Sequence, residues 1–158
     1  MSDALTELRG RFLGTLDIEG ETPVEMGATP YGRRRVVNIA GGRVSGPHLN
    51  GEILRTGQDS ALIRNDGVFE HDVRMMLRLN PSELVRVTYW GRWHSTELER
   101  LLRREGTLDD IDSYLRIAVS FETASPTFAW LNTIVAVGIG RPRMGTTSGI
   151  VYEIHEVL

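Results

Sequence analysis

The sequence predicts an all-β domain closed into an antiparallel barrel, on three observations. Apolar residues recur at every second position along most of the chain, the spacing of strands with unlike faces. Seventeen glycines are scattered with no fixed period, and β architectures need glycine for turns and bulges more often than helical ones do. Asp66-Gly67 lies between two alternating runs, the strongest short-range hairpin signal because a type I′ turn needs positive φ. Many short strands with one helix fit a barrel or a sandwich, and closure removes exposed edges.

The elements follow in order. Phe12, Gly14, Leu16 and Ile18 alternate with polar or small neighbours. Val36 to Ile39 and Val44 to Leu54 are broken by Gly41-Gly42, Gly46-Pro47 and Gly51, which reads as a bulged or bent strand pair. Asp59 to Asn65 and Val68 to Leu79 flank the Asp66-Gly67 turn, and Leu84 to Trp93 is a further strand. His94 to Arg104 sets Leu98, Leu101 and Leu102 at helical spacing, with Thr96 and Glu99 as a capping-box pair and Gly106 as a stop. An acidic turn (Asp109, Asp110, Asp112) leads to strands over Leu115 to Thr123, Phe128 to Ile139 and Gly149 to Val157, eight or nine in all.

At 158 residues the chain has the common size of one domain with one core, expected over residues 1–158. The net charge of −3 leaves no basic stripe: Arg33-Arg34-Arg35 and the run from Arg100 to Arg104 are short and close to acids, so nucleic acid is not expected as a partner. The absence of cysteine rules out disulfides, thiolate nucleophiles and zinc–cysteine or iron–sulfur sites, and fits a reducing compartment. No stretch resembles a leader, and the longest apolar run, Ile134 to Ile139, is too short to span a bilayer. A soluble cytoplasmic protein without membrane contact is expected.

Pairing the hairpin as a two-residue loop sets Asn65 opposite Val68, Arg64 opposite Phe69, Ala61 opposite Asp72 and Asp59 opposite Arg74. Asp59, Glu70, Asp72 and Arg74 then share one face, and Phe69, Val73, Met75 and Leu77 the other. Facing a lumen, these acids would be partly desolvated and their pKa values driven apart, the condition for a general acid or base near neutral pH. An alternating polar face is more commonly the solvated outside of a sheet. A slip of one residue, with Asn65-Asp66 as the loop, would change every cross-strand partner.

A second cluster is Glu122, the sole acid in an apolar strand, with Trp130 and Asn132 on one face of the next strand. Trp130 and Asn132 form either a stacking wall beside a hydrogen-bonding amide or a core indole and a turn cap. The four histidines have no metal-binding spacing, and His71 lies on the face opposite Asp72. Phosphate-loop, dinucleotide and nucleophile-elbow patterns are absent. No metal or cofactor is expected, and any reaction rests on acid–base and electrostatic help.

Gly27-x-Thr29-Pro30-x-Gly32-x-Arg34-Arg35, Ile39-x-Gly41-Gly42-x-Val44-x-Gly46-Pro47, Gly57-x-Asp59, Asp66-Gly67 and Asp72-x-Arg74 form one continuous pattern. With Phe121-Glu122-Thr123, Trp130-Leu131-Asn132 and Val137-Gly138-x-Gly140, it resembles the domain of unknown function 3237 family over nearly the whole chain. The resemblance implies an eight-stranded antiparallel barrel, similar to allene oxide cyclases and dirigent proteins and often oligomeric, so a dimer or higher homo-oligomer is expected. Related barrels hold apolar or oxygenated small molecules and guide isomerisation or cyclisation without a cofactor. Two departures stand out: Ser60 where the family has an aromatic, and a charged helix between Trp93 and Tyr114 where many members have a shorter loop.

The expected function is therefore a cofactor-independent isomerase, cyclase or lyase acting on a small carbonyl or enol compound. Asp72 or Glu122 would move the proton and Arg74 would steady enolate charge. Asp59, Asn132, Tyr89 and Tyr152 would bind substrate, and Trp130 would supply an apolar wall. The rivals are a non-catalytic carrier or sensor barrel for an apolar metabolite, and an assembly module packing Phe69, Val73, Met75 and Leu77 of an outer sheet against a second copy.

Overall fold

A computed structural model describes residues 7–108, 111–143 and 148–158. Ten strands run antiparallel: β1 (Gly10–Gly20), β2 (Val24–Thr29), β3 (Gly32–Ser45), β4 (Gly51–Ile53), β5 (Gln58–Ile63), β6 (Phe69–Leu79), β7 (Glu83–His94), β8 (Tyr114–Thr123), β9 (Ala136–Pro142) and β10 (Gly149–Val157). The helix α1 (Leu98–Arg103) follows β7, and a 3-10 helix, Ala129–Thr133, follows β8.

These strands fill eight positions around a closed barrel. The ladder runs β1, β10, β9, β8, β7, β6, then β4 and β5 end to end on β6, then β3, which pairs back onto β1. The short β2 adds to the remaining edge of β3. Pairing of β3 onto β1 closes the barrel, as the scattered glycines and period-two runs predict, and the short β2 keeps one unpaired edge among the described residues. Inward side chains alternate with outward ones: in β8, Leu115, Ile117, Val119 and Phe121 are buried and the residues between them are not. They join Leu16, Val73, Leu77, Val85 and Tyr152 in one continuous core. Gly140 matters to that packing, because a Cβ there would lie 2.5 Å from the Tyr152 ring.

The Asp66-Gly67 hairpin forms, in a different register. The Gly67 N–H donates to Arg64 O (3.0 Å), the Arg64 N–H donates to Val68 O (2.9 Å), and Gly67 has φ +88°. This is a three-residue loop, Asn65-Asp66-Gly67, with glycine in the left-handed position that a side chain resists. Ile63 therefore sits opposite Phe69, Leu62 opposite Glu70 and Asp59 opposite Val73, one residue away from the two-residue pairing. The Asp66 side chain holds the loop by ion-pairing with Arg64 and accepting the Val68 N–H (3.3 Å).

Several further expectations are corrected. The strand expected over Phe128 to Ile139 divides into the 3-10 helix and β9, so Trp130, Asn132 and Ile134 do not share a strand face. The expected Val44 to Leu54 strand is the end of β3 and, after a turn, the short β4. The helix is shorter than His94 to Arg104, because β7 continues through His94. Its capping box does not form: Ser95 Oγ accepts the Glu97 N–H (3.1 Å) instead. The chain leaves α1 at Arg104, itself left-handed with φ 54°. Of the expected acidic turn, Asp109 and Asp110 lie outside the described residues. Phe69, Val73, Met75 and Leu77 point into the core rather than outward, which removes them as an assembly face.

Candidate functional site

The register of the β5–β6 hairpin decides what lies inside the barrel. With Asp59 opposite Val73, Asp59 falls in the same inward phase as Phe69, His71 and Val73. Asp59 and His71 are both buried among apolar side chains, 7% and 3% exposed. A buried carboxylate needs hydrogen bonds to offset its lost hydration, and Asp59 has two. Its Oδ1 accepts the backbone N–H of Asp72 (3.0 Å), and its Oδ2 lies 2.6 Å from His71 Nδ1. An ionised carboxylate only accepts, so it selects the imidazole tautomer with hydrogen on Nδ1 and leaves Nε2 with its lone pair. Nε2 is buried and has no hydrogen-bond partner among the described residues.

Aromatic rings fix the imidazole plane. Trp93 stacks on His71 at 6.1 Å and 17°, and Phe69 lies 4.6 Å away, tilted by 48°. Beside this pair is a cavity of about 50 Å³, lined by His71, Asp59, Tyr89, Trp93, Arg35 and Arg104 among apolar residues of β1, β3 and β10. Leu102 and Arg104, at the end of α1, form part of the wall. The end of the helix therefore closes one side of the site. Arg104 is anchored by donating to the carbonyls of Leu101 and Gly149 (2.8 Å to the latter).

Electrostatics in this hollow follow from burial. Desolvation, and secondarily the nearby charge of Asp59, push the Tyr89 hydroxyl far above the ordinary phenol range. Tyr152 is raised in the same direction by burial, by Tyr89 and by Asp59. Both stay protonated, with ring centroids 5.3 Å apart. The indole N–H of Trp93 is a further buried polar group without a hydrogen-bond partner among the described residues. The site thus contains a proton acceptor on a carboxylate-backed imidazole, neutral donors and two guanidinium groups. Among the described residues, no three His, Asp or Glu side chains converge so as to hold a metal ion.

The residues expected from sequence separate into two groups. Asp59 and Tyr89 line the cavity, and Tyr152 is buried beside Tyr89. The others stand elsewhere. Asp72 and Arg74 are in the outward phase of β6 and form a half-exposed ion pair at 3.0 Å. Glu70, also outward, pairs with Arg64 and Arg92. Glu122 is in the exposed phase of β8. Asn132 exchanges hydrogen bonds with the backbone of Thr123 (2.8 and 3.0 Å), the turn-cap role. Trp130 lies on the 3-10 helix against His48 and under Arg11, away from the cavity lining. The physical reason is the period of two: once Phe69, Val73 and Met75 fill the lumen, Asp72 and Arg74 must face out. His71, Trp93, Arg35 and Arg104 were missed. His71 carried a readable signal, as the one polar residue in the apolar phase of β6.

A family model described as "protein of unknown function (DUF3237)" matches residues 9–157. A UPF0311 protein from Rhodopseudomonas palustris is 30% identical over 152 residues, covering 96% of this chain and 97% of its own. The crystal structure of a conserved protein of unknown function from that organism superposes with a TM-score of 0.88 at 27% identity, over 97% of this chain and 99% of that one. A β-barrel-like protein from Acinetobacter baumannii gives 0.83 at 27% identity, over 99% and 100%. A structure described as an enzyme from Penicillium herquei gives 0.72 at 16% identity over the full length of both chains, a likeness of fold alone. With its sequence matched almost end to end and its barrel shared throughout, the chain belongs to the DUF3237 family of proteins of unknown function.

Proposed function

We propose that this barrel is a cofactor-independent enzyme that moves a proton within a small carbonyl or enol compound, with His71 as the acid–base group. One observation carries the reading: the His71 imidazole is held at 2.6 Å by the buried carboxylate of Asp59, and its Nε2 has no partner beside a cavity. Most buried polar atoms in proteins are satisfied, so an orphaned imidazole nitrogen at a cavity wall is a place for a substrate proton.

The roles follow from the chemistry. His71 Nε2 takes a proton from the carbon next to a carbonyl, or from a hydroxyl, and becomes imidazolium. The Asp59 carboxylate stabilises that charge without itself taking the proton. Negative charge builds on the substrate oxygen, where the Tyr89 hydroxyl and the Trp93 N–H stand as neutral donors in a poorly hydrated space. His71 then returns the proton at another atom. Return to carbon completes an isomerisation, return to a departing oxygen an elimination, and return after ring closure a cyclisation. In this reading Tyr89 binds substrate, Tyr152 backs Tyr89, Asp59 holds His71 instead of binding substrate, and the proton-moving role passes from Asp72 and Glu122 to His71. The apolar walls of Ile18, Val37 and Ile39 suit a mostly hydrocarbon ligand, which is also what a non-catalytic carrier would hold.

The test begins with native mass spectrometry of the purified protein to find a co-purifying compound. That compound is then incubated with the protein in deuterium oxide. The wild type should introduce deuterium, and His71→Gln should lower the rate by roughly 10²–10⁴-fold, the usual worth of a positioned acid–base group. Asp72→Asn should have little effect. A compound that is bound but acquires no deuterium would make the barrel a carrier, and equal rates in wild type and His71→Gln would remove the role of His71.

A further inference from the structure

We propose that the ligand of this cavity carries a carboxylate, held between Arg35 and Arg104. The inference rests on the reading above that the cavity is a ligand site, and it adds the chemical class. The described lining contains two guanidinium groups, Arg35 and Arg104, against one carboxylate, Asp59, whose oxygens are both engaged by His71 and the Asp72 N–H.

Neither arginine is fully satisfied. Arg35 is 8% exposed, and its buried Nε lies 3.3 Å from the half-solvated Glu25 carboxylate without hydrogen-bond geometry. Arg104 has no carboxylate within ion-pair distance among the described residues. Its Nε is buried without a partner, although other atoms of the same guanidinium donate to two carbonyls. Two like charges lining one small apolar space repel each other and are poorly hydrated. Burial, with the charge of Arg35, accordingly pulls Arg104 down to about 10. A bound anion relieves both costs. A carboxylate is the anion whose planar pair of oxygens matches a guanidinium edge.

The backbone supports a dedicated role for Arg104. It ends α1 in the left-handed conformation, unusual and costly for a residue with a long side chain. That conformation starts the side chain on the path that ends on Gly149 O, beside the cavity. An arginine needed only for solubility would face water. The arrangement gives a ligand with its carboxylate on the arginines and its reacting carbon or hydroxyl near His71 Nε2.

The experiment is calorimetric titration of the purified protein with simple carboxylates of increasing size, from acetate to benzoate, each compared with its neutral amide. At least one carboxylate should bind about tenfold or more tightly than its amide, the usual advantage of charge-assisted hydrogen bonds. Arg104→Met should largely abolish that preference, Arg104→Lys should restore part of it, and the outward Asp72→Asn should keep it. The comparison within the wild type needs no variant, so misfolding of Arg104→Met leaves the test intact. Equal affinity for every carboxylate and its amide would overturn the proposal. So would a preference that survives in Arg104→Met and Arg35→Met alike. Proton exchange that depends on His71 with no carboxylate preference would leave the catalytic reading standing and sink this one.

Discussion

At the scale of single residues, removal from water decides what each polar side chain can do. Asp59 is held by two hydrogen-bond partners and so orients His71, while burial keeps Tyr89 and Tyr152 neutral. The tyrosines give a pH prediction with a definite sign. Their folded-state pKa values lie above the unfolded value near 10, so the folded state holds protons that the unfolded chain releases. That stability is complete below about pH 10 and is lost as pH rises further. The melting temperature should therefore fall above about pH 10, less steeply in Tyr89→Phe, and ultraviolet titration should show these two phenols ionising only as the protein unfolds. Phenolate absorption from all four tyrosines in the folded protein would refute it. The outward Asp72–Arg74 pair behaves differently. As a solvated ion pair it is worth little, so Arg74→Ala should change stability by no more than about 0.5 kcal/mol in chemical denaturation.

At the scale of elements, the β5–β6 hairpin matters most, and there the sequence could be read only in part. The turn at Asp66-Gly67 was legible from composition, because few other dipeptides accept positive φ. Its length was not, since Asn65-Asp66-Gly67 can close a hairpin with either two or three loop residues. One residue of register moves Asp59 from the company of Arg74 to that of His71, which turns a surface cluster into an internal dyad. The pattern within β6 was firmer evidence than the turn, because Phe69, Val73, Met75 and Leu77 identify the inner face and His71 is in phase with them. Gly67→Ala should cost about 1 kcal/mol, read by chemical denaturation, because alanine must adopt a strained φ although the space beside it is open. The 3-10 helix is hidden in the sequence for a different reason: Ala129–Thr133 is a single short turn, too brief to show a helical period, and it runs directly into the apolar residues that lead to β9. Its Leu131 is fully buried, so Leu131→Ala should lose about 2–5 kcal/mol by the same measurement.

At the scale of the whole molecule, the barrel was legible and the contents of its lumen only partly so. Alternation and the family motifs depend on local sequence, and the closed eight-position barrel and the family membership they point to are found, although its strands number ten. The cavity depends on which distant residues meet. Asp59 of β5, His71 of β6, Trp93 of β7, Arg35 of β3 and Arg104 after α1 converge only when the sheet closes, and no spacing along the chain encodes that meeting. Tyr89 and Tyr152 fall on the inner faces of periodic strands, whereas the position of Arg104 comes from a helix end that no period announces. The cavity's polar groups thus lie among apolar side chains, while Asp72, Arg74 and Glu122, which look most reactive in the sequence, stand on the solvated surface.

The account depends on a sheltered imidazole pinned through Nδ1 with Nε2 free to meet a ligand, and nitrogen-15 NMR of histidine-labelled protein tests this most directly. In its uncharged form His71 should show the Nδ1–H tautomer, its two nitrogen shifts widely separated, and Asp59→Asn should erode that preference. An Nε2–H tautomer in the wild type, or a His71 signal indistinguishable from that of a free imidazole, would contradict the account.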